Sequence, residues 1–559
     1  MAVSSPPKNV DCVIIGAGFS GIYMLHALRE DGYDAIVLEA GDDVGGTWYW
    51  NRYPGARCDG PSVEYSYSFS DEIQQEWTWS EKYAAQPEIL SYARYITDRL
   101  QLRERMFFNT TVTAAHYDES QNGWTVTTAA GDVIDAAFCV MATGPLSSPK
   151  IPDIDGLETF DGEVLLTSRW PEGQHDFSQR RVGVIGTGST GMQIVQALAP
   201  AAQELFVFQR TANYAVPARN RPLTTDEVAD VKQNYAALRA AQRDTYGLNL
   251  NKTLNSQKAT EVSAEERAAV FWERWTAGGT GFIASFSDLI TDEDANAAAA
   301  EFLHDRIRDT VTDPVVAEAL IPRGQMVGGR RLQVEDGYYS VFNDPHVTLV
   351  DIRDDDTFGV TAAGVRTGTG DIALDVLILA TGFDALTGSL QAIDIRGSDQ
   401  VTFRDAWRDG PLTHLGLMVP GFPNLFITVG PGSPSVRTNM IPSIEQHVEW
   451  IRDCLRFMRA NEYQTVEASR EAAEQWTAHV QDVASETILF RTPSWYNGSN
   501  VDGKARVFMP YVGGAPQYRR HCEQVVADGY RGFMFTDSRD LANAGTETYG
   551  VEHANAPLS

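Results

Sequence analysis

Two glycine-rich turns, each set between an apolar run and a helical repeat, constrain this chain more than any other feature. In the interior stretch RVGVIGTGSTGMQIVQALAPAAQELFVFQRT, residues 181–211, the run Val182 to Ile185 meets Gly186, Gly188 and Gly191, and a helical period follows through Ile194, Val195 and Leu198. The first glycine permits a tight turn, the second lets backbone approach a pyrophosphate, and the third packs helix on strand; the helix N-terminus adds free N–H groups and a positive dipole end. Thr187 and Ser189 sit between these glycines. The next apolar run, Leu205 to Phe208, ends in Gln209, Arg210 and Thr211, where an NAD-binding unit carries an acid for the ribose 2′-hydroxyl. A cation there suits a 2′-phosphate, so NADP is expected.

A complete fingerprint of the same kind stands near the N-terminus. Asp11-Cys-Val-Ile-Ile leads to Gly16, Gly18 and Gly21, then to an amphipathic repeat through Ile22, Met24, Leu25 and Leu28. The following run, Ala35 to Leu38, ends in Glu39, placed to accept hydrogen bonds from a ribose that bears no phosphate, as in FAD or NAD. One unit closing with an acid and one with arginine divide naturally into FAD first and NADP second. Two apolar runs ending in Ala-Thr-Gly, at Phe138–Gly144 and Val376–Gly382, are read as buried strands where the chain crosses between the nucleotide domains.

The predicted fold class is therefore α/β, with two Rossmann-like dinucleotide-binding domains and an all-helical insertion. Residues 1–145 and 382–559 are assigned to a discontinuous FAD domain, and 146–220 and 327–381 to an NADP domain. Residues 221–326 change to charged, alanine-rich sequence with helical spacing, as in Asp226–Arg239, Glu265–Trp275 and Asp292–Arg308, and are assigned to the insertion. Strand Val347–Val350, a loop at Pro431–Ser435, helix Glu445–Arg459 and a loop-rich tail from Asn497 complete the expectations. The 559 residues, 43% hydrophobic, suffice for several cores. A formal charge of −30 opposes a nucleic-acid or anionic-membrane partner. Five scattered cysteines without a CxxC pair indicate reduced thiols, with no disulfide framework and no metal site. No apolar run approaches the roughly 18 residues of a membrane span, so a cytoplasmic monomer is expected.

Residues 45–59, GGTWYWNRYPGARCD, would by themselves be read as a covered aromatic loop. Together with the paired fingerprints, Gly45-Gly46, Trp48, Tyr53-Pro54-Gly55 and Asp59 meet in full a signature of the type I Baeyer–Villiger monooxygenases, and the chain resembles that family, in its phenylacetone monooxygenase-like branch, from about residue 10 to about 535. A second signature is met by Phe160, Gly162, Trp170 and Pro171, with Leu166 where the family carries histidine. The resemblance implies NADPH- and O2-dependent oxidation of a ketone to an ester or lactone through a peroxide at flavin C4a. It places Gly46, Thr47 and Trp48 at the cofactors, Arg331 as the active-site arginine and Asp59 as its carboxylate partner. It also implies that Arg330 joins Arg210 and Thr211 at the 2′-phosphate, that Trp495 lies near the nicotinamide, and that Val436 and Arg437 lie on the substrate side. A fixed guanidinium would stabilise an anionic oxygen adduct. An N- or S-oxygenating flavin monooxygenase, a peroxide-releasing NADPH oxidase and a non-catalytic sensor are the alternatives sharing these fingerprints. An inward-facing Arg437 would favour keto-acids, and an outward-facing one would be an ordinary surface cation.

Overall fold

The structure is a computed structural model that describes residues 5–537; the ends of the expected FAD domain, 1–4 and 538–559, lie outside the described residues. Strand Asn9–Ile15 (β1) turns through Gly16 and Gly18 into helix Phe19–Glu30 (α1) and strand Ala35–Leu38 (β2). Met106–Phe107 (β3), Val112–Asp118 (β4), Gly123–Thr128 (β5) and Val133–Met141 (β6) follow. The interior unit repeats the pattern with Glu163–Leu166 (β7), Arg181–Ile185 (β8), helix Ser189–Leu198 (α2) and Glu204–Gln209 (β9). Val347–Asp351 (β10) and Val376–Leu379 (β11) close the second sheet, and Asp394–Arg396 (β12) and Leu425–Ile427 (β13) return to the first.

The first sheet runs β12-β4-β5-β6-β1-β2-β3 with β13 on β6, and Ile14 is paired in parallel with both Val37 and Val140. The second runs β10-β9-β8-β11-β7, parallel throughout, with Val184 between Val207 and Ile378. Strands covered on both faces need continuous apolar runs, which is why β2 and β11 are buried at every position. Helix Met440–Ala460 lays Ile441, Val448 and Ile451 over Ile22 and Leu25 of α1, closing the first core. The second core gathers Val182, Val184, Ile194 and Val195, and also takes Tyr53 and Ala56 from the aromatic loop, whose Trp48 is buried in the first. That loop thus belongs to both cores.

The turn glycines are required sterically. Gly186 sits at φ +110, and a Cβ on Gly191 would collide with the Gly186 carbonyl oxygen, so α2 can lie on β8 only without a side chain there. The first unit repeats this with Gly16 and Gly21.

Between 221 and 326 the regular elements are helical: Thr225–Arg243, Ala264–Ala277, Glu293–Thr310 and Pro314–Leu320. Thr224 with Glu227, and Ser263 with Glu266, form capping boxes, and Asp292 caps the third helix, so each start is written in the sequence. Phe271, Phe282, Phe286 and Leu303 form their own core beneath Tyr214 and Leu332. The tail from Asn497 departs from expectation: helix Ala515–Ala527 and strand Phe533–Asp537 follow its loop. Pro516 occupies the first helical turn, a legitimate start signal. The strand exists because Tyr463–Ala468 pairs with it across a long separation. No helix among the described residues is long and apolar enough to cross a membrane, and all five cysteines are buried free thiols.

Gly191→Ala should force α2 away from β8 and cost about 1–3 kcal/mol, as overpacking does. A lowered thermal midpoint for this variant is expected, and an unchanged one would show that the helix shifts at no cost.

Candidate active site

The two glycine turns face one continuous cavity of about 1580 Å³. Its wall includes Gly16, Gly18, Glu39, Gly46, Thr47, Trp48 and Asp59 from the first unit, with Gly186, Thr187, Gly188, Ser189, Arg210 and Thr211 from the second. Arg330, Arg331, Val436 and Trp495 complete the candidates that line it. Gly21 and Gly191 stand behind the lining, as residues used for helix packing should.

Several features fit dinucleotides on both sides. Neither α1 nor α2 carries a side-chain cap, so first-turn N–H groups are free for an anion. A Cβ on Gly188 would meet no protein atom and would project into open space. Glu39 accepts from the N–H groups of Ala17 and Gly41, each at 2.7 Å, which fixes the carboxylate at the rim. Burial raises its pKa from the ordinary carboxylate value, against the lowering effect of those N–H groups. On the other side Arg210 is exposed, while Arg330 donates from Nε to the Pro493 carbonyl at 3.1 Å. Burial, then the charge of Arg210, lowers the pKa of Arg330. Neither guanidinium has a carboxylate partner among the described residues, so their mutual repulsion awaits an anion.

Arg331 reaches across the cavity wall to Asp59. Its Nε lies 2.6 Å from Oδ2 and its second terminal nitrogen 2.7 Å from Oδ1, a bidentate fork, while the remaining nitrogen donates to the Val436 carbonyl at 2.9 Å. Burial alone would raise the Asp59 pKa, but the Arg331 guanidinium outweighs it and holds the carboxyl below its usual range. Burial likewise disfavours the Arg331 cation, and Asp59 more than restores it. The fork lies beside Cys58, whose thiol burial pushes up to about 12.

The loop carrying Asp59 is tied to α2. Tyr53 donates from its hydroxyl to Gln193 Oε1 at 2.8 Å, and Gln193 Nε2 donates to the Arg57 carbonyl at 3.0 Å. A Cβ on Gly55 would press into the Gln193 backbone, so the close approach needs glycine.

One expectation is corrected, the place of Arg437 on the substrate side. Arg437 is not a lining residue: it donates to the Tyr496 hydroxyl at 3.3 Å, packs over that ring at 5.2 Å and leaves Nε without a partner, while Val436 takes the cavity side. A short helical turn, Ser435–Arg437, rotates the two side chains apart. At the unusual signature position, Leu166 makes apolar contacts, and the polar ties lie on its neighbours. It pairs with Leu379 and packs among Ile185 and Leu379, while Thr167 donates to the Leu379 carbonyl at 3.1 Å. Arg169 stacks on Trp50 at 4.2 Å, and Arg52 pairs with Glu172. Lys252, which the sequence reading did not single out, also lines the cavity. In the sequence it is a lone lysine in the polar segment Thr245–Gln257, and a lone lysine usually means a solvated side chain.

Two fingerprints sharing one cavity with an arginine–carboxylate fork define a two-dinucleotide oxidoreductase. A protein-family model described as pyridine nucleotide-disulphide oxidoreductase matches residues 13–298. A Baeyer–Villiger monooxygenase of Pseudooceanicola batsensis is 40% identical over 93% of this chain and 95% of its own length. Cyclohexanone 1,2-monooxygenase of Acinetobacter sp is 39% identical over 97% and 100%. The crystal structure of OTEMO in complex with FAD and NADP superposes with a TM-score of 0.91 at 41% identity, covering 95% of this chain and 100% of that one. The chain belongs to the Baeyer–Villiger monooxygenases, FAD-containing, NADPH-dependent enzymes that convert ketones to esters or lactones.

Because the native Asp59 pKa lies below its unfolded value, the Arg331 pair stabilises the fold above about pH 4 and is lost as pH falls through that lowered native value. Asp59→Asn, already without the pair, should lose less stability than the parent between about pH 6 and about pH 3. Parallel thermal melts at both values check this.

Proposed function

We propose that this chain oxidises a ketone to the corresponding ester or lactone at the Arg331–Asp59 fork, with residues 1–145 and 382–559 carrying FAD, 146–220 and 327–381 carrying NADP, and 221–326 forming a helical cover. The bidentate fork on a wall shared by both fingerprints supports this reading most strongly. When bound, FAD reduced by NADPH supplies the activated oxygen derived from O2. Glu39 holds the adenosine ribose, and the N-termini of α1 and α2 hold pyrophosphates. Gly46, Thr47 and Trp48, which line the cavity beside the first glycine turn, would contact the flavin. Arg210, Thr211 and Arg330 take the 2′-phosphate. Trp495, packed at 4.4 Å on Tyr496, lines the cavity and would lie near the nicotinamide.

Arg331 keeps its proton throughout, since Asp59 strengthens its cation. It stabilises the negative charge that develops on the carbonyl oxygen, and Asp59 and the Val436 carbonyl fix its orientation. A monomer is proposed, and five buried reduced thiols suit the cytoplasm.

Arg331→Ala should retain flavin, and its visible spectrum, while ester formation falls about 100-fold or more, the scale of losing one preorganised donor. Ester yield at the parent rate would overturn the reading. Arg210→Ala should raise KM for NADPH tenfold or more, since a charge-assisted bond contributes about 1.5–3 kcal/mol, and should barely alter KM for NADH. Initial rates with both coenzymes decide this; equal losses would remove the phosphate role.

A further inference from the structure

Lys252 belongs to neither cofactor side. It ends the short turn Leu250–Lys252, in the helical insertion, and faces the same cavity as Asp59, Arg331 and Asn439. That turn is not a loose surface excursion. Leu250 N–H donates to Glu64 Oε2 at 2.6 Å, and the Glu64 carbonyl accepts from Gln242 and Asn439 at 2.9 and 2.8 Å. Asn439 N–H in turn donates to the Gly247 carbonyl at 2.9 Å. The first nucleotide unit, the insertion and the loop following Val436 therefore hold the Lys252 backbone jointly.

Its ammonium group, in contrast, makes no hydrogen bond or ion pair among the described residues. The charged groups acting on it are Arg331, Asp59, Arg437 and Glu64. Asp59 is already engaged by both terminal contacts of Arg331, and Glu64 is engaged by Leu250 N–H and pushed up to about 7 by burial. Arg437 adds a further cation without a carboxylate. Burial first, then Arg331, lowers the Lys252 pKa to about 7. Arg331 is answered by Asp59, so Lys252 is the cation on this wall of the cavity that has no carboxylate partner among the described residues, in a chain whose formal net charge is −30.

Resting on the ketone-oxidation reading above, we propose that Lys252 is a specificity residue that binds a carboxylate carried by the ketone substrate while Arg331 faces the carbonyl. An ammonium is a compact point charge with rotatable donors, suited to a carboxylate. A buried anion left without such a partner is strongly disfavoured, so the same site discriminates by charge. The anion selectivity expected from Arg437 passes to a residue that actually lines the cavity.

The experiment compares a cyclohexanone bearing a ring carboxylate with its methyl ester, scored as lactone formed by the FAD-loaded enzyme with NADPH. The ratio of kcat/KM for carboxylate over ester should fall tenfold or more in Lys252→Met and be retained in Lys252→Arg. Calorimetry of the carboxylate binding to oxidised holoenzyme with NADP+, at about pH 8 in two buffers of different ionisation enthalpy, adds a readout free of turnover. At that pH Lys252 is largely neutral, and the incoming anion raises its pKa, so the parent should take up a proton that Lys252→Arg does not. An identical ratio in the parent and Lys252→Met, or carboxylate binding without proton uptake, would overturn the inference. Oxygenation of the methyl ester with no charge discrimination would remove only the Lys252 role; oxygenation of neither ketone would remove the ketone reading, and calorimetry would still decide on Lys252.

Discussion

The aromatic loop between Gly45 and Asp59 is the joint on which the rest of this structure depends. One end, at Trp48, is buried in the core of the first nucleotide unit, and the other, at Tyr53 and Ala56, in the core of the second. Gly55 lets it press against the Gln193 backbone on α2, and the Tyr53 and Gln193 side chains hydrogen-bond across the contact. Because Asp59 is the next element of that loop, the carboxylate reaching Arg331 is positioned by the same packing that sets the two glycine turns against each other. Domain arrangement and site geometry are therefore a single mechanical problem here.

The electrostatics follow from that joint. Taken separately, burial would neutralise Asp59 and disfavour the cation at Arg331. As a bidentate pair, each keeps the other charged, which makes the guanidinium permanent at any pH where the fold survives. The cations nearby that lack such partners, Lys252 and Arg437, show what the pairing prevents: one has its pKa pulled down, and the other leaves a buried Nε unbonded.

The parts legible in the sequence are those whose cause is local. Gly186 needs positive φ, Thr224 and Ser263 announce helices through their capping partners, and the all-apolar runs at β2 and β11 can only be buried strands. The fork was not legible in this way. Asp59 and Arg331 stand 272 residues apart, and only family resemblance joined them. Lys252 was hidden because a lone lysine in a polar segment carries no mark of facing inward; the turn that aims it depends on Glu64 and Asn439, both far away in the chain. Which of Val436 and Arg437 lines the cavity was not legible for the complementary reason, since one turn of tight helix separates two adjacent side chains.

The buried thiols have a consequence for durability. In chemistry that uses O2, the side chain most open to oxidation is a cysteine thiolate. Cys58 lines the cavity beside the fork, yet burial and the neighbouring Asp59 charge keep it as the thiol. The remaining cysteines are buried away from the cavity lining. The same carboxylate that orients Arg331 thus keeps its nearest cysteine in the protonated form, which is the less oxidisable one.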